Sequence, residues 1–399
     1  MRRTTCRACG DPSLEQFLDL GLMPLAGGFL ADPAEARREQ RYPLPVHVCT
    51  ACGLVQITEV IDPDVLFQEY SFASSTIEPL VRHFEGYATW LRDRFDPRFV
   101  VEFGCNDGVL LEPLDRMHVR TCGIDLSVNI TDHARANGLD VITGRFDGPT
   151  ADVIRRRHGP ADVVTGSNAF AHNDAPDVLL EAARRLLRPG GHLCLEVMYA
   201  RDLLEQLQWD TLYHEHLTFY SLKTLQGLLE RFGFTLVMAE RIPMHGGALR
   251  VAASLDGDQP ARPEVAEILA EESAMRLNDP ATWRAFGDRI GRKIEIVRDT
   301  LQSLSGGHRI WAYGAAGKAT LWVNACAMDY LEAVVDASPL RAGKLMPGTH
   351  TPIVFPERLR ADPPDYVFVT AWNYASLIRA KEEWFPGVWV TPLPDLRMF

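Results

Sequence analysis

A short polar and aromatic segment, WDTLYHEHLTFYS (residues 209–221), concentrates side chains that can move protons. Its two histidines, His214 and His216, flank Glu215, and Tyr213 precedes them. Histidine accepts a proton near neutral pH, a carboxylate can orient an imidazole, and a phenol can donate to an oxygen that gains negative charge. The segment therefore predicts a catalytic site, with a structural His–Glu pair at the end of a strand as the alternative.

A metal site is the third interpretation of the same segment. Zinc hydrolases place two histidines four residues apart on a helix, in the pattern H-E-x-x-H. Here the two histidines are only two residues apart in the sequence. This spacing disfavours metal binding at the 209–221 segment.

Two cysteine pairs of the form C-x-x-C predict a metal site elsewhere. Each pair is followed by a glycine, Gly10 or Gly53, which permits the tight turn of a zinc knuckle. A redox pair is the alternative, but two such pairs in a reducing compartment favour structural Zn²⁺ without a catalytic role. The predicted zinc ligands are Cys6, Cys9, Cys49 and Cys52. The surrounding residues 1–75 look rich in loops, and a metal would hold them together.

The composition limits the class of protein. The chain has 399 residues, a formal net charge of −12, 46% hydrophobic residues and 24% charged residues, which is typical of a globular protein with two or three domains. The negative charge argues against binding to nucleic acid or to an anionic membrane. The chain has no apolar run long enough to span a membrane, and its first residues lack the apolar core of a signal peptide. We expect a cytoplasmic protein that is a monomer or associates weakly.

The segment RFVVEFGCNDGVLLEPL (98–114) predicts a strand, a glycine turn and a helix. Its apolar run is typical of a buried strand in a doubly wound sheet, which binds ligands at the carboxyl ends of its strands. The turn has the form E-x-G-x-x-x-G, with Glu102, Gly104 and Gly108, and differs from the G-x-G-x-x-G of dinucleotide sites. An acid at the strand end would repel a pyrophosphate and suits a cationic cofactor that bears an ammonium group.

Residues that follow the next predicted strands extend this ligand site. An acid at the end of the second strand, Asp125, has the offset at which a carboxylate accepts from ribose hydroxyls. Phe146 or Asp147, after the third strand, can face an adenine ring. Two further strands near the end of this region predict a closing antiparallel pair. The predicted cofactor contacts are Glu102, Gly104, Asn106, Gly108, Asp125, Phe146, Asp147 and Asn168.

This ordered set of motifs resembles a known family. The middle of the chain resembles class I S-adenosylmethionine-dependent methyltransferases, and the whole chain resembles the three-domain sugar C-methyltransferases of deoxysugar biosynthesis. The resemblance rests on CRACG…CTACG, VEFGCNDGVLL, NAFAH, YHEHLTFYS, HGGALRV and YGAAGKATLWVN. It implies an α/β protein with a zinc-binding module (residues 1–75), a doubly wound class I methyltransferase domain that binds S-adenosylmethionine (76–280) and a C-terminal Rossmann-like, sugar-nucleotide-binding domain (281–399).

The C-terminal region repeats the strand, glycine turn and helix. The segment HRIWAYGAAGKATLWVN (308–324) places Gly314, Gly317 and Lys318 at the start of a predicted helix, where backbone N–H groups bind phosphates. A degenerate duplicate that serves only as scaffold is the alternative, and an NAD site is disfavoured because G-x-x-G is shorter than the dinucleotide fingerprint. The resemblance implies that this domain helps bind the diphosphate of a dTDP-sugar. Trp372, Asn373 and Tyr374 can lie beside the base.

Methylation of carbon determines what the 209–221 segment would have to do. The donor sulfonium is already electrophilic, so the protein must create a carbon nucleophile, and a carbon beside a ketone becomes one when it loses a proton and an enolate forms. We expect His216 to be the base that removes this proton. Tyr213 and His172 are then expected to contact the enolate. Glu215 can orient a histidine or hold the sugar. His214 can contact the sugar or point away and be structural.

Two more segments, FQEYSFASS and MHGGALR, contribute candidate substrate contacts. Tyr70 can reach the sugar, and Phe72 stands where the family tends to have a second tyrosine; core packing is an equal alternative for both. His245 can contact the substrate or cap a strand.

The sequence thus predicts methyl transfer from S-adenosylmethionine to a carbon, most specifically carbon 3, of a dTDP-linked 4-keto-deoxysugar. Methylation of oxygen or nitrogen on a small metabolite and a non-catalytic, zinc-dependent binding protein are the alternatives. An NAD oxidoreductase ranks last.

Overall fold

A computed structural model describes residues 1–67, 70, 72–255 and 259–399. Its strands, in chain order, are β1 (Leu14–Pro24), β2 (Arg41–Cys49), β3 (Val55–Ile57), β4 (Phe99–Phe103), β5 (Arg120–Asp125), β6 (Val141–Thr143), β7 (Ala161–Ser167), β8 (Leu187–Met198), β9 (Thr218–Phe219), β10 (Thr235–Ile242), β11 (Ala248–Ser254), β12 (Ile310–Tyr313), β13 (Val334–Val335), β14 (Ile353–Val354), β15 (Tyr366–Val369), β16 (Val388–Thr391) and β17 (Arg397–Met398). Its α-helices are α1 (Pro33–Ala36), α2 (Pro63–Phe67), α3 (Glu78–Phe95), α4 (Leu111–Arg116), α5 (Val128–Ala136), α6 (Gly148–His158), α7 (Pro176–Leu186), α8 (Ala200–Glu205), α9 (Leu222–Arg231), α10 (Pro263–Ala274), α11 (Pro280–Ser305), α12 (Gly317–Ala325), α13 (Pro356–Ala361) and α14 (Ala375–Lys381).

The central sheet has seven strands in the order β10-β11-β8-β7-β4-β5-β6. Strands β8, β7, β4, β5 and β6 are parallel, and β11 runs antiparallel to both of its neighbours. Every residue of β4 is buried, as a strand covered on both faces requires. The sequence expectation of a doubly wound sheet with a closing antiparallel pair is confirmed. The turns after β4, β5, β6 and β7 lie at one edge, because parallel strands end on the same side.

A second, six-stranded sheet follows the 26-residue helix α11. Its order is β14-β13-β12-β15-β16-β17, and all pairs are parallel except β16 with β17. The glycine turn between β12 and α12 therefore also lies at the carboxyl edge of a parallel sheet, as the Rossmann-like interpretation requires. Among the residues that the structure describes, no helix is long and apolar enough to cross a membrane.

The N-terminal module is a four-stranded antiparallel sheet in the order β1-β2-β3-β9. The expectation of a region rich in loops did not include its two longest strands, β1 with 11 residues and β2 with 9. The fourth strand, β9, belongs to the 209–221 segment: Thr218 pairs with Gln56, and Phe219 pairs with Val55. The sheet of the module thus includes part of the segment that carries the candidate base.

The four cysteines predicted to bind zinc converge at one end of this module. The Sγ atoms of Cys6 and Cys52 lie 3.5 Å apart, and those of Cys9 and Cys49 lie 3.6 Å apart. All four sulfur atoms lie within 4.8 Å of one another, so the set fits the tetrahedral Cys₄ coordination of a structural zinc ion. Bonds from the zinc ion to the four thiolates would then hold together the two turns that carry them.

We predict one zinc ion per chain, which Cys49→Ser should release because a hydroxyl is a poor substitute for a thiolate ligand. Elemental analysis of the purified protein measures the zinc content. The matched control is Cys326→Ser, since Cys326 is also buried but donates to the Ile294 carbonyl at 3.7 Å, far from the cluster in sequence. Equal zinc content in wild type and Cys49→Ser would contradict the assignment.

Candidate active site

One cavity of about 920 Å³ is lined by residues of the central sheet, of the C-terminal sheet and of the 209–221 segment. It opens at the carboxyl ends of the parallel strands, where both sheets carry their glycine turns. The predicted catalytic residues all line it: His216, Tyr213, His172 and Glu215. Six of the predicted cofactor contacts also line it: Gly104, Asn106, Asp125, Phe146, Asp147 and Asn168. We call these six residues the donor cleft.

The turn after β4 forms the floor of the donor cleft. Gly104 has a φ of +66°, and a Cβ added there would lie 2.3 Å from the Cβ of Ala169, so only glycine fits. The Asn106 backbone N–H donates to Asp125 Oδ2 at 3.0 Å, and the Ser127 N–H donates to Asp125 Oδ1 at 2.9 Å. These bonds fix the Asp125 carboxylate at the end of β5, where it can still accept from ribose hydroxyls.

Aromatic and amide side chains line the other end of the donor cleft. The ring of Phe146 stacks on Phe103 with centroids 5.3 Å apart and planes at 4°, so it offers a flat apolar surface. Asp147 is the N-cap of α6, and its Oδ1 accepts from the Thr150 N–H at 2.9 Å. The Oδ1 atom of Asn168 is buried without a hydrogen-bond partner among the described residues. A cofactor with an adenine ring and several donors fits this lining.

Two predicted cofactor contacts lie outside the cavity. Glu102 is buried beneath the turn, where burial, followed by the charges of Asp125, Glu196 and Asp107, raises the pKa of its carboxyl. A Cβ on Gly108 would lie 2.2 Å from the side chain of Leu139. Glu102 and Gly108 are not among the residues that line the cavity, and their predicted contacts with the cofactor remain predictions. The motif predicts that the turn needs both residues, but it does not predict which side of the turn each residue faces.

His216 carries a lone pair that is available as a base. Its Nδ1 lies 2.7 Å from the Thr211 carbonyl oxygen, and because a carbonyl can only accept, Nδ1 holds the proton and Nε2 is unprotonated. Burial, and then the neighbouring charge of His172, lower the pKa of His216 well below its usual value. The His172 ring stacks on His216 with centroids 5.0 Å apart. Burial lowers the pKa of His172 to about 4, so both imidazoles are neutral at neutral pH.

Tyr213 and Glu215 both precede His216 in the sequence. The Tyr213 ring centroid lies 3.9 Å from that of His216. Burial raises the pKa of Glu215 to about 7, against the hydrogen bonds from Tyr70 and Gly27 that lower it. The Tyr70 hydroxyl donates to Glu215 Oε2 at 3.4 Å. Glu215 is thus a carboxyl that exchanges its proton near neutral pH.

His214 points away from the cavity. Its Nε2 donates to the Pro43 carbonyl at 3.1 Å, on β2 of the N-terminal module, and it is not among the residues that line the cavity. This hydrogen bond favours the structural alternative for His214, and its predicted sugar contact remains a prediction. His214 and Glu215 are the two central residues of a turn that the His216 N–H closes on the Tyr213 carbonyl at 2.8 Å, and in this turn His214 contacts the module while Glu215 lines the cavity.

The other predicted substrate contacts line the cavity: Tyr70, Phe72, His245, Gly314, Gly317, Lys318 and Asn373. His245 has a left-handed backbone with φ of 52°, and burial, followed by the charge of Lys318, lowers its pKa to about 4. The strained conformation at His245 is typical of a residue that a site holds in place.

Sequence reasoning missed four residues of the site. Asp336 accepts from the Ala315 N–H at 2.7 Å after β13, and the Nε of Arg341 lies 3.5 Å from Asp336; both line the cavity. Asp336 repeats the position of Asp125 at a strand end, and that repetition was a usable signal. A Cβ added to Gly27 would lie 2.9 Å from Glu215 Oε1. In the sequence, Gly27 is marked only by its neighbour Gly28.

The fourth missed residue, Asp210, joins the 209–221 segment to the C-terminal sheet. Its side chain is fully buried. Its Oδ2 accepts from the indole N–H of Trp322 at 2.9 Å and of Trp372 at 2.7 Å. These partners lie 112 and 162 residues further along the chain, so no local pattern could reveal them.

Gly104→Ala should weaken binding of S-adenosylmethionine by at least tenfold, because the added methyl group clashes with Ala169 and the backbone is left-handed. Isothermal calorimetry of the folded variant measures the affinity. Gly86→Ala is the control: Gly86 lies in α3, and nothing lies within 4 Å of an added Cβ. An unchanged donor affinity in Gly104→Ala would contradict the location of the donor cleft.

Glu215→Gln should gain stability relative to wild type as the pH rises. The folded pKa of Glu215, about 7, exceeds the unfolded value of 4.5, so wild type loses stability between these pH values as the buried carboxyl ionises, by up to about 3 kcal/mol. Thermal unfolding at about pH 5 and about pH 8 measures the difference in Tm. Glu267→Gln, at an exposed position on α10, should show no such trend; a Tm difference independent of pH in Glu215→Gln would refute the shift.

Three family models together match most of the chain. They are described as "Putative zinc binding domain" (residues 6–67), "Methyltransferase domain" (80–239) and "C-methyltransferase C-terminal domain" (243–394). The first model coincides with the Cys₄ cluster, and the second with the central sheet. The cofactors S-adenosylmethionine and zinc follow from these matches together with the donor cleft and the four thiols.

One curated relative matches over nearly its full length, and others match only in part. The chain is 35% identical to the C-methyltransferase NovU of Streptomyces niveus, over 98% of this chain and 96% of NovU. It is 32% identical to the ubiquinone biosynthesis O-methyltransferase of Cupriavidus pinatubonensis, over 24% of this chain and 39% of that protein. Among solved structures, magnesium protoporphyrin IX methyltransferase (ChlM) of Synechocystis PCC 6803 aligns with a TM-score of 0.35 and 15% identity, over 43% of this chain and 82% of that chain.

These matches decide between the functions that the sequence left open. A full-length relative that methylates carbon excludes methylation of oxygen or nitrogen and a non-catalytic, zinc-dependent binding protein, and those alternatives are wrong. Because the similarity to NovU spans almost the whole of both chains, this protein belongs to the same family and is an S-adenosylmethionine-dependent C-methyltransferase.

Proposed function

We propose that the protein methylates carbon 3 of a dTDP-linked 4-keto-deoxysugar through an enolate. One observation carries the proposal: a histidine with an unprotonated Nε2, His216, and the glycine turn of the C-terminal sheet line the same cavity as the donor cleft. A carbon acceptor needs a base near the methyl donor. An acceptor that carries a nucleotide needs a second ligand-binding turn. In this chain the candidate base and that second turn line one cavity.

The base forms the carbon nucleophile. The bound cofactor supplies an electrophilic methyl group on a sulfonium, so the protein does not need to activate the donor. His216 Nε2 accepts the proton from the carbon next to the ketone, the C–H electron pair forms a carbon–carbon double bond, and the ketone oxygen takes up the negative charge. The hydrogen bond from Nδ1 to the Thr211 carbonyl holds the ring in this tautomer, and it also stabilises the imidazolium that results.

The low pKa of His216 keeps its Nε2 unprotonated at neutral pH. Burial disfavours the charged form of His216, so a proton from water does not occupy Nε2. The negative oxygen that develops beside the imidazolium compensates for the buried charge during the reaction. A weakly basic histidine in the resting protein is therefore compatible with proton abstraction from carbon.

Tyr213 and Glu215 line the same cavity as His216 and hold the sugar there. The Tyr213 hydroxyl is a donor toward the ketone oxygen, and burial raises its pKa well above the usual value, so it keeps its proton. Glu215 can donate when protonated or accept when ionised, and its pKa of about 7 makes both forms accessible. Tyr70 contacts Glu215 and completes this wall. His172 stacks on His216 and limits its orientation.

The C-terminal sheet offers a site for the nucleotide. The N-terminus of α12 follows Gly314, and its N–H groups suit a diphosphate. Arg341 is nearby, and its Nη1 donates to the Ala315 carbonyl at 3.0 Å while its Nε has no hydrogen-bond partner among the described residues. Asn373 lines the same cavity and can donate to a pyrimidine carbonyl. These groups of the C-terminal sheet support a dTDP-sugar over a free sugar as the proposed substrate.

His216→Asn should keep donor affinity and lose methyl transfer by a hundredfold or more, because it lacks the base. It should also lose exchange of the proton beside the ketone with heavy water, measured by NMR with a dTDP-4-keto-sugar and S-adenosylhomocysteine bound. The matched control is His214→Gln: it lies two residues away, faces the N-terminal module and should retain exchange once folding is verified.

The same experiment separates the possible failures. Wild-type protein that neither exchanges this proton nor methylates any dTDP-4-keto-sugar would overturn the proposed substrate. Fast exchange in His216→Asn without methylation would mean that His216 positions the sugar, and His172 would then be the next base to test.

A further inference from the structure

Lys318 has a buried charge that no hydrogen bond satisfies. Its Nζ is buried and has no hydrogen-bond partner among the described residues, while the side chain lines the cavity. A buried ammonium without a partner is costly, so such a group is retained where a ligand or a reaction supplies negative charge. The sequence suggested a phosphate for this role, but the surroundings of the side chain point elsewhere.

The start of α12 is pressed against the 209–221 segment. A Cβ added to Gly317 would lie 2.8 Å from Tyr213 Cζ and 3.0 Å from its hydroxyl oxygen. No side chain fits between them, so the backbone that carries Lys318 meets the tyrosine next to the base. This contact brings a cation of the C-terminal sheet to the reacting end of the cavity.

Trp372 and Asp210 hold the Lys318 ammonium on this side. The Nζ lies 4.6 Å from the centre of the Trp372 ring, a distance typical of a cation–π contact. The same indole donates its N–H to Asp210 Oδ2 at 2.7 Å. Asp210 Oδ1 is buried and has no hydrogen-bond partner among the described residues. The carboxylate therefore fixes the indole, and its negative charge also acts on the lysine, whose pKa it raises against the lowering effect of burial.

We propose that Lys318 is a catalytic residue whose ammonium stabilises the enolate oxygen, and that Asp210 is the positioning residue that holds Trp372 and Lys318 in place. The inference rests on the proposed function, since it needs a ketone substrate. It moves Lys318 from the diphosphate to the reacting centre and leaves the diphosphate to the N–H groups of α12 and to Arg341.

The electrostatics of the cavity support this role. The charge of Lys318 is the largest cause after burial that lowers the pKa of His245, and it also contributes, after burial and the charges of His172 and His245, to lowering the pKa of His216. Its field therefore reaches the base. In a desolvated cavity such a field is strong.

The proton balance of the step is simple. The carbon–hydrogen bond breaks, its proton goes to His216 Nε2, and its electron pair becomes the carbon–carbon double bond of the enolate. The ketone oxygen becomes an oxyanion beside the Lys318 ammonium, which keeps its own proton. The cation thus favours the transition state over the neutral ketone, as an oxyanion hole does, and it keeps the resting His216 neutral.

Lys318→Met removes the charge with little change in length and separates the two roles of the lysine. If Lys318 serves the enolate, proton exchange at saturating dTDP-4-keto-sugar should fall about a hundred- to a thousandfold. The dissociation constant for dTDP alone, measured by calorimetry, should stay within about twofold of wild type. Lys381→Met is the control, because Lys381 is exposed on α14 of the same sheet and should change neither value.

Asp210→Asn should also slow exchange, by about tenfold, while the affinities for dTDP and S-adenosylmethionine stay unchanged. The amide keeps an oxygen that accepts from the indoles but removes the counter-charge, so a merely structural role would leave the exchange rate intact. Donor binding verifies that each variant is folded, and Lys318→Gln replaces Lys318→Met if that variant does not bind the donor.

A dTDP affinity weakened tenfold or more in Lys318→Met, with wild-type exchange at saturating substrate, would return Lys318 to the diphosphate and overturn the inference. Unchanged exchange and unchanged dTDP affinity would also overturn it. Failure of the wild-type protein to bind dTDP or to exchange the proton marks a failure of the proposed function itself, and the inference then falls with it.

Discussion

The buried carboxylate of Asp210 is the contact on which the arrangement of the cavity depends. It accepts hydrogen bonds from two indoles of the C-terminal sheet region, and the Trp322 ring also packs edge-on against Trp209 at 4.6 Å. A buried carboxylate that lost its donors would cost several kcal/mol. The polar bonds and the tryptophan contact therefore hold the 209–221 segment against the second sheet and close the cavity between two carboxyl edges.

The same segment is also part of the N-terminal module. Its strand β9 pairs with β3, and His214 donates to the carbonyl of Pro43. Zinc coordination at the four cysteines would fix the turns of a module whose own sheet is small. The metal would then have an indirect role in catalysis: it stabilises the sheet that holds one end of the segment, while Asp210 holds the other end and His216 lies between them.

The buried polar groups of the protein differ in whether hydrogen bonds satisfy them. In the central sheet Glu196 is buried but satisfied, since it accepts from Ser167 and from Arg250 and pairs with His83, and this network serves the packing of β8 and β11. Around the cavity, by contrast, Lys318 Nζ and Asn168 Oδ1 are buried without hydrogen-bond partners among the described residues. Unsatisfied atoms also occur in the central sheet, where Glu102 Oε2 on β4 is buried without a hydrogen-bond partner among the described residues. Those that line the cavity are available to a bound ligand.

Spacing, apolar runs and turn chemistry within a few residues predict the zinc ligands, the two strand–glycine–helix units and the candidate residues of the 209–221 segment. The sequence does not show which side of a turn each residue faces: Glu102, Gly108 and His214 are not among the residues that line the cavity. Nor could it show β9 joining the zinc module, or Asp210 reaching two tryptophans. These contacts join residues more than a hundred positions apart, and only the packing of three sheets around one cavity brings them together.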